Sequence, residues 1–128
     1  IVVTAAPDLA NLRNAKNLID LVKSLRNNDV PPRLVINMAN MPKRPEIAIN
    51  EFATAIGIDP MHVIDFDSEH FGQASNNGQM IEEFSTKAKA ATQFRDIALA
   101  LSNRREAKVE KVKVSAFAPL LEKLKLKR

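Results

Sequence analysis

Three short apolar segments separated by helical patterns constrain the fold of this chain most strongly. Residues Ile1–Thr4 are all β-branched, and the segments Arg33–Asn37 and Met61–Phe66 each have an apolar centre. Strands that alternate with helices need crossover connections, which place successive strands parallel in one sheet. The sequence therefore predicts an α/β fold with about three parallel strands and flanking helices, in the order β-α-β-α-β-loop-α.

Capping residues and apolar spacing define the helices. Pro7 and Asp8 mark the start of a first helix of about five turns. Pro45 suits the first turn of a second helix, and Gly57 suits its C-terminal cap. A last helix is predicted from about Thr86 to Asn103. The residues expected to face inward are Leu9, Leu12, Ala15, Ile19 and Val22, widened by Leu18, Leu21 and Leu25; then Ile49, Phe52, Ala53 and Ile56; then Ala90, Phe94, Ile97 and Leu101.

The apolar composition of the first strand predicts that the sheet has more strands than the three in this sequence. Ile1–Thr4 is as apolar as a strand at the centre of a parallel sheet, which is buried on both faces. The chain also begins with Ile1 rather than Met. We therefore expect residues 1–103 to be the C-terminal part of a larger domain.

The positive charge is concentrated at the C-terminal end of the chain. Residues 1–103 carry 10 Lys and Arg against 12 Asp and Glu, a net charge of −2, whereas residues 104–128 carry 9 against 3, a net charge of +6. We predict a charged linker at 104–114 and a basic amphipathic tail helix at 115–128. Its apolar face comprises Phe117, Leu120, Leu121 and Leu124, beside Lys123 and Lys125.

Three partners suit this tail. It could dock on its own domain or on a sister subunit, or lie on anionic lipid with its apolar face buried and its cations at the head groups. Nucleic acid fits less well, because the basic residues are not interleaved with aromatic residues that could stack on bases.

Several kinds of chemistry are excluded by what the sequence lacks. Without cysteine there is no disulfide and no thiolate site. The three glycines, Gly57, Gly72 and Gly78, are too far apart to form a phosphate-binding loop. The spacing of Asp65, Asp67 and Glu69 resembles the start of a calcium loop, but its sixth position is His70 and its twelfth is Asn76, so no metal is predicted. No Ser-His-Asp arrangement is recognisable, and no catalytic residue is assigned.

The most informative segment is 63–81, VIDFDSEHFGQASNNGQMI, which is predicted to run from the third strand into a polar loop. Ligands in open α/β sheets bind at the carboxyl ends of strands. Asn37 ends the neighbouring strand, and its carboxamide could pair with the N6/N7 edge of adenine. A strand-end Asn can equally be a turn former, so its proximity to the 63–81 segment is what would support a binding role.

The segments VVTAAPDLANLRNAKNLIDLVK, LVINMAN and VIDFDSEHFGQASNNGQM together resemble the C-terminal half of a MinD/ParA-type P-loop ATPase. Within that superfamily, PDLANLRNAK, PKRPEI and KAKAATQF are most similar to the CpaE/TadZ family of Flp/Tad pilus-assembly proteins. The resemblance implies a doubly wound parallel sheet. It also implies a base-binding role for Asn37, Asp65, Phe66 and Asp67.

The same resemblance implies that ATP or ADP with Mg²⁺ binds only to the complete domain, whose phosphate loop is absent here. It implies a homodimer in the full-length protein, contact with other proteins of the Tad pilus machinery, and a location in the bacterial cytoplasm, peripheral on the inner membrane. It also favours membrane contact for the tail, through Phe117, Leu120, Leu121, Leu124, Lys123 and Lys125. This fragment alone is not expected to be an enzyme.

Three functions remain open. The first is a pilus-assembly or localisation factor of the CpaE/TadZ kind. The second is a fragment of a ParA-type DNA-partition ATPase that uses its basic tail on DNA. The third is an interaction module that binds no nucleotide.

Overall fold

The computed structural model describes residues 1–102, so the predicted linker and tail lie outside the described residues. The elements are β1 (Val2–Ala5), α1 (Leu9–Leu25), β2 (Arg33–Ala39), α2 (Ile49–Ile56), β3 (Pro60–Asp65), α3 (Ser68–Asn76), α4 (Ile81–Phe84) and α5 (Lys89–Leu101). The strands form one parallel sheet in the order β1-β2-β3. The predicted α/β fold with three parallel strands is confirmed.

Helices cover both faces of the sheet. Alternate residues of β2 pack against the helices on the two faces. Leu34 and Ile36 belong to the core shared with α1 and α2, whereas Val35 belongs to the core shared with α3, α4 and α5. This alternation follows from the two-residue side-chain period of a strand. Burial on both faces is what makes the centre of β2 continuously apolar.

The start of α1 agrees with the sequence prediction, but part of its predicted apolar face does not. The Asp8 side chain caps the helix by accepting a 2.9 Å hydrogen bond from the Asn11 backbone N–H. Ala15 and Ile19 are buried against the sheet. In contrast, Leu18, Leu21 and Leu25 are 47%, 54% and 73% exposed, and Leu9 is also exposed. These leucines lie away from the sheet, because a single sheet face covers only part of a helix.

The second and last helices begin later than predicted. Pro45 lies four residues before α2, because Ile47 donates its backbone N–H to the Pro7 carbonyl (2.8 Å) rather than to a helical carbonyl. Thr86 lies in a turn, and α5 begins at Lys89. Phe94 and Leu101, predicted to face inward, are both largely exposed.

The part of segment 63–81 that follows β3 is not the loop that the sequence predicted. It contains all of α3 and the first residue of α4. Asp67 starts α3 by accepting a 3.0 Å hydrogen bond from the His70 backbone N–H. The short polar residues that indicated a loop are therefore helix-capping and exposed helical residues.

Gly57 ends α2 with φ 74°, in the left-handed region predicted for a glycine cap. Nothing lies within 4 Å of a Cβ added there. Gly57→Ala should therefore lower the free energy of unfolding by about 1 kcal/mol, for conformational reasons alone. Urea denaturation measures this change.

The matched control is Gly72→Ala in α3. This glycine also has open space around an added Cβ, but it lies inside a helix, where alanine is favoured by about 0.8–1.0 kcal/mol. The control should be stabilising, and equal effects of the two changes would show that the Gly57 backbone geometry carries no cost.

Candidate nucleotide-base site

The candidate site lies at the carboxyl edge of the sheet, where β2 contains one extra residue. Ile36 pairs with Val63 and Ala39 with Asp65, so two residues of β2, Asn37 and Met38, lie opposite Ile64 alone. Such a β-bulge changes the direction of the side chains that follow it. Here it places Ala39 in the same core as Ile36, and the pairing resumes with a 2.7 Å bond from the Phe66 N–H to the Ala39 carbonyl.

The bulge brings the four predicted base-binding residues to one cavity. A cavity of about 250 Å³ is lined by Asn37, Asp65, Phe66 and Asp67, together with Met38, Ser68 and Phe71. A second cavity, of about 470 Å³, lies across the Asp65–Ser68 segment and is bordered by Asn40, Lys89 and Gln93 among others. Asn37 therefore lies close to the segment after β3, as a shared binding role would need.

The Asn37 carboxamide is engaged on one side only. Its Oδ1 accepts a 2.9 Å hydrogen bond from the Met38 backbone N–H and so stabilises the bulge. Within residues 1–102, no acceptor takes the Nδ2 hydrogens. Asn37 lies inside β2, which continues to Ala39, rather than at the strand end that the sequence predicted, and its amide donor is available for a ligand.

The two aspartates are engaged by protein partners. Asp65 accepts bonds from Lys89 Nζ (2.6 Å) and Asn40 Nδ2 (2.8 Å). Asp67 accepts from the His70 backbone N–H, and His70 Nδ1 lies 2.8 Å from its Oδ2. Their carboxylates shape the cavity wall and keep further acceptor capacity, beside the Asn37 amide, the Ser68 hydroxyl and the Phe66 ring.

These contacts lower the pKa of both aspartates. The hydrogen bond from Lys89, and then that from Asn40, holds the pKa of Asp65 below its ordinary value. The bond from the His70 backbone N–H does the same for the pKa of Asp67. Both carboxylates are consequently ionised at neutral pH.

The loop after β2 contains contacts that the sequence did not reveal. Glu46 accepts hydrogen bonds from the backbone N–H groups of Asn40 and Met41, both 2.9 Å, and from Arg44 Nη2 at 2.8 Å. The bond from Arg44 is the main cause that lowers the pKa of Glu46. The close spacing of Arg44 and Glu46 in the PKRPEI segment is the one sequence feature that could have suggested this pair. The contacts of Asn40 and Lys89 could not be predicted from local sequence, because their partner Asp65 is distant in sequence.

Comparison with solved structures identifies the fold that carries this site. A crystal structure of a ParA family ATPase from Chlorobium tepidum TLS matches with a TM-score of 0.63 and 23% sequence identity, over 78% of this chain and 40% of that chain. The fold is that of part of a ParA-type ATPase. The chain spans about 40% of the length of that ParA structure. No protein-family model and no curated protein sequence matches the chain.

The ParA-type fold accounts for the three parallel strands and their flanking helices. In residues 1–102, no group of three or more His, Cys, Asp or Glu side chains is arranged to hold a metal ion. No helix in the same range is both long enough and apolar enough to cross a membrane.

Lys89 should determine the pKa of Asp65. We expect Lys89→Met to raise that pKa towards its ordinary value, because the charged hydrogen bond is lost. Since the folded-state pKa is the lowered one, the stabilisation exists above about pH 4 and disappears as the pH falls through the folded-state value. The pair is exposed, so its effect on stability should be below about 1 kcal/mol.

Carbon-detected NMR titration of the Asp65 carboxyl carbon measures this shift. Lys87→Met is the control, since it removes a nearby exposed cation. An unchanged Asp65 titration in Lys89→Met, or an equal shift in both variants, would contradict a direct bond.

Proposed function

We propose that this chain forms the base-facing side of an ATP site in a CpaE/TadZ-like pilus-assembly or localisation factor. The observation that carries the proposal is the bulge in β2. It places Asn37 and Phe66 on one cavity at the carboxyl edge of a ParA-type sheet. This edge is where open α/β sheets bind their ligands.

The cavity supports a nucleobase better than a larger ligand. Its volume of about 250 Å³ lies below the roughly 300–1,000 Å³ typical of sites for drug-sized molecules. Asn37 supplies an amide donor, and Phe66 supplies an aromatic ring on which a base can stack. The base portion of ATP or ADP therefore fits the residues present.

The sequence contains no recognisable glycine-rich loop for the phosphate groups. Its three glycines are dispersed, and Lys89 is bonded to Asp65. We propose that a phosphate-binding segment outside this sequence completes the site with Mg²⁺. The outer edge of β1 offers a place for it, because β1 pairs only with β2 among residues 1–102.

The cellular role rests on the sequence resemblance. The PDLANLRNAK, PKRPEI and KAKAATQF segments support a CpaE/TadZ-like factor that works with other Tad pilus proteins as a homodimer of the full-length protein. The basic tail supports a cytoplasmic protein that contacts the inner membrane through Phe117, Leu120, Leu121 and Leu124. The fragment by itself would recognise a base without catalysing hydrolysis.

Asn37→Asp tests the base site without disturbing the bulge. Aspartate keeps an oxygen for the Met38 N–H but replaces the amide donor with an acceptor. We expect AMP, titrated to millimolar concentration, to shift the backbone NMR signals of residues 65–68 in the wild-type chain. Asn37→Asp should weaken this binding about tenfold, because a hydrogen bond is replaced by an unfavourable acceptor pair.

Asn14→Asp on the exposed surface of α1 is the matched control and should bind AMP normally. GMP and ribose 5-phosphate, each titrated separately, serve as comparison ligands. Equal shifts with all three ligands, or none with AMP, would rule out adenine recognition and favour an interaction module without nucleotide.

Leu121→Asp tests membrane contact. Sedimentation with vesicles of phosphatidylglycerol and phosphatidylcholine should show binding by the wild-type chain and loss of binding in this variant, because a charge would enter the apolar face. Ser115→Asp adds the same charge off that face and should retain binding. Strongly salt-dependent binding to DNA, with no vesicle binding, would instead favour the DNA-partition alternative.

A further inference from the structure

The end of β2 and the loop after it contain three non-glycine residues in the left-handed backbone conformation. Met38, Asn40 and Lys43 have φ angles of 58°, 59° and 62°. L-amino acids disfavour this region, and methionine and lysine lack the short polar side chain that helps asparagine to adopt it. Three such residues within six positions require strong local contacts to hold them.

The Glu46 carboxylate provides these contacts. One oxygen accepts the Asn40 N–H, and the other accepts the Met41 N–H and Arg44 Nη2. Arg44 Nη2 also donates to the Met38 carbonyl. The pair therefore bonds to the backbone at two of the left-handed residues, Met38 and Asn40, and spans the loop as far as Arg44.

The pair is sheltered from solvent. The side chains of Arg44 and Glu46 are only 20% and 19% exposed. Hydrogen bonds that involve charged groups are stronger than neutral ones, and reduced solvent access lowers their screening. These bonds can therefore offset the cost of the left-handed residues, as exposed surface pairs rarely could.

The same loop forms part of the proposed base cavity. Met38 lines that cavity and follows Asn37 in the bulge, while Asn40 bonds to Asp65 on the opposite wall. Glu46 does not line the cavity; it borders a different one, with Ile47 and Ile49. Glu46 therefore does not contact a ligand in that cavity, and its bonds reach the base site through the backbone of the loop.

We propose that Glu46, together with Arg44, is a positioning residue that holds residues 37–43 in the conformation required for base binding. The proposal rests on the proposed function of the cavity. Without the carboxylate, each left-handed residue would return to more favourable backbone regions. Apparent affinity then falls in proportion to the population of the competent conformation.

Glu46→Gln tests the proposal with little change in shape. Glutamine keeps one acceptor but presents an NH₂ group where the carboxylate accepts a hydrogen bond. We expect AMP binding to weaken about tenfold, because one non-glycine residue in the left-handed conformation costs about the free energy that corresponds to that factor. Backbone scalar couplings of Met38 and Lys43 should also lose the values that mark positive φ.

Two further variants separate positioning from other effects. Glu51→Gln, in the first turn of α2, removes the same charge outside the loop and should leave AMP binding and the couplings unchanged. Adding Lys43→Gly to Glu46→Gln should restore part of the affinity, because glycine adopts positive φ without steric cost. A purely electrostatic role of Glu46 would show no such rescue.

The outcomes distinguish this proposal from the function on which it rests. Wild-type affinity and unchanged couplings in Glu46→Gln would overturn it, as would weakened binding that Lys43→Gly fails to rescue. If the wild-type chain bound no AMP, the proposed base site would fail. The couplings would then decide whether Glu46 holds the loop: their loss supports that role, and their retention overturns it.

Discussion

The pairing of β2 with β3 around one extra residue is the constraint on which the site depends. In β2, Leu34 and Ile36 belong to one core and Val35 to the other, and beyond the bulge Ala39 returns to the core of Ile36. Asn37 and Met38 are left at the carboxyl edge, facing the start of α3. In a regular strand, neighbouring side chains point to opposite faces of the sheet. Asn37 and Met38 would then not both line this cavity, as they do at the bulge.

Charged groups at this edge mainly organise the backbone. Asp67 caps α3, Asp65 joins Asn40 to Lys89, and Glu46 holds the loop after β2. Asp65 and Asp67 of the 63–81 segment are thus both bonded to protein partners. The base site that we propose uses the Asn37 amide and the Phe66 ring at this edge, which suit a flat group such as a base.

The sequence predicted the elements that have local signals, but not those that depend on distant partners. The Asp8 cap and the Gly57 cap were recognisable, because each acts within one helical turn. Helix α3 was mistaken for a loop, because its short polar residues are also common in turns. Phe94 was expected to be buried, but periodicity shows which residues share a face and not how far the neighbouring layer extends.

The amino-acid sequence by itself determined the parallel α/β fold and the order of its three strands with α1, α2 and α5. Periodicity and caps are sufficient for these features, whereas the base-binding role of Asp65, Phe66 and Asp67 came from the family resemblance and stays a prediction. Only the tertiary structure decided the bulge, the left-handed loop and the partners of each carboxylate. These arise from strand register and from contacts between residues such as Asp65 and Lys89, which are 24 positions apart, and no local pattern specifies such pairs.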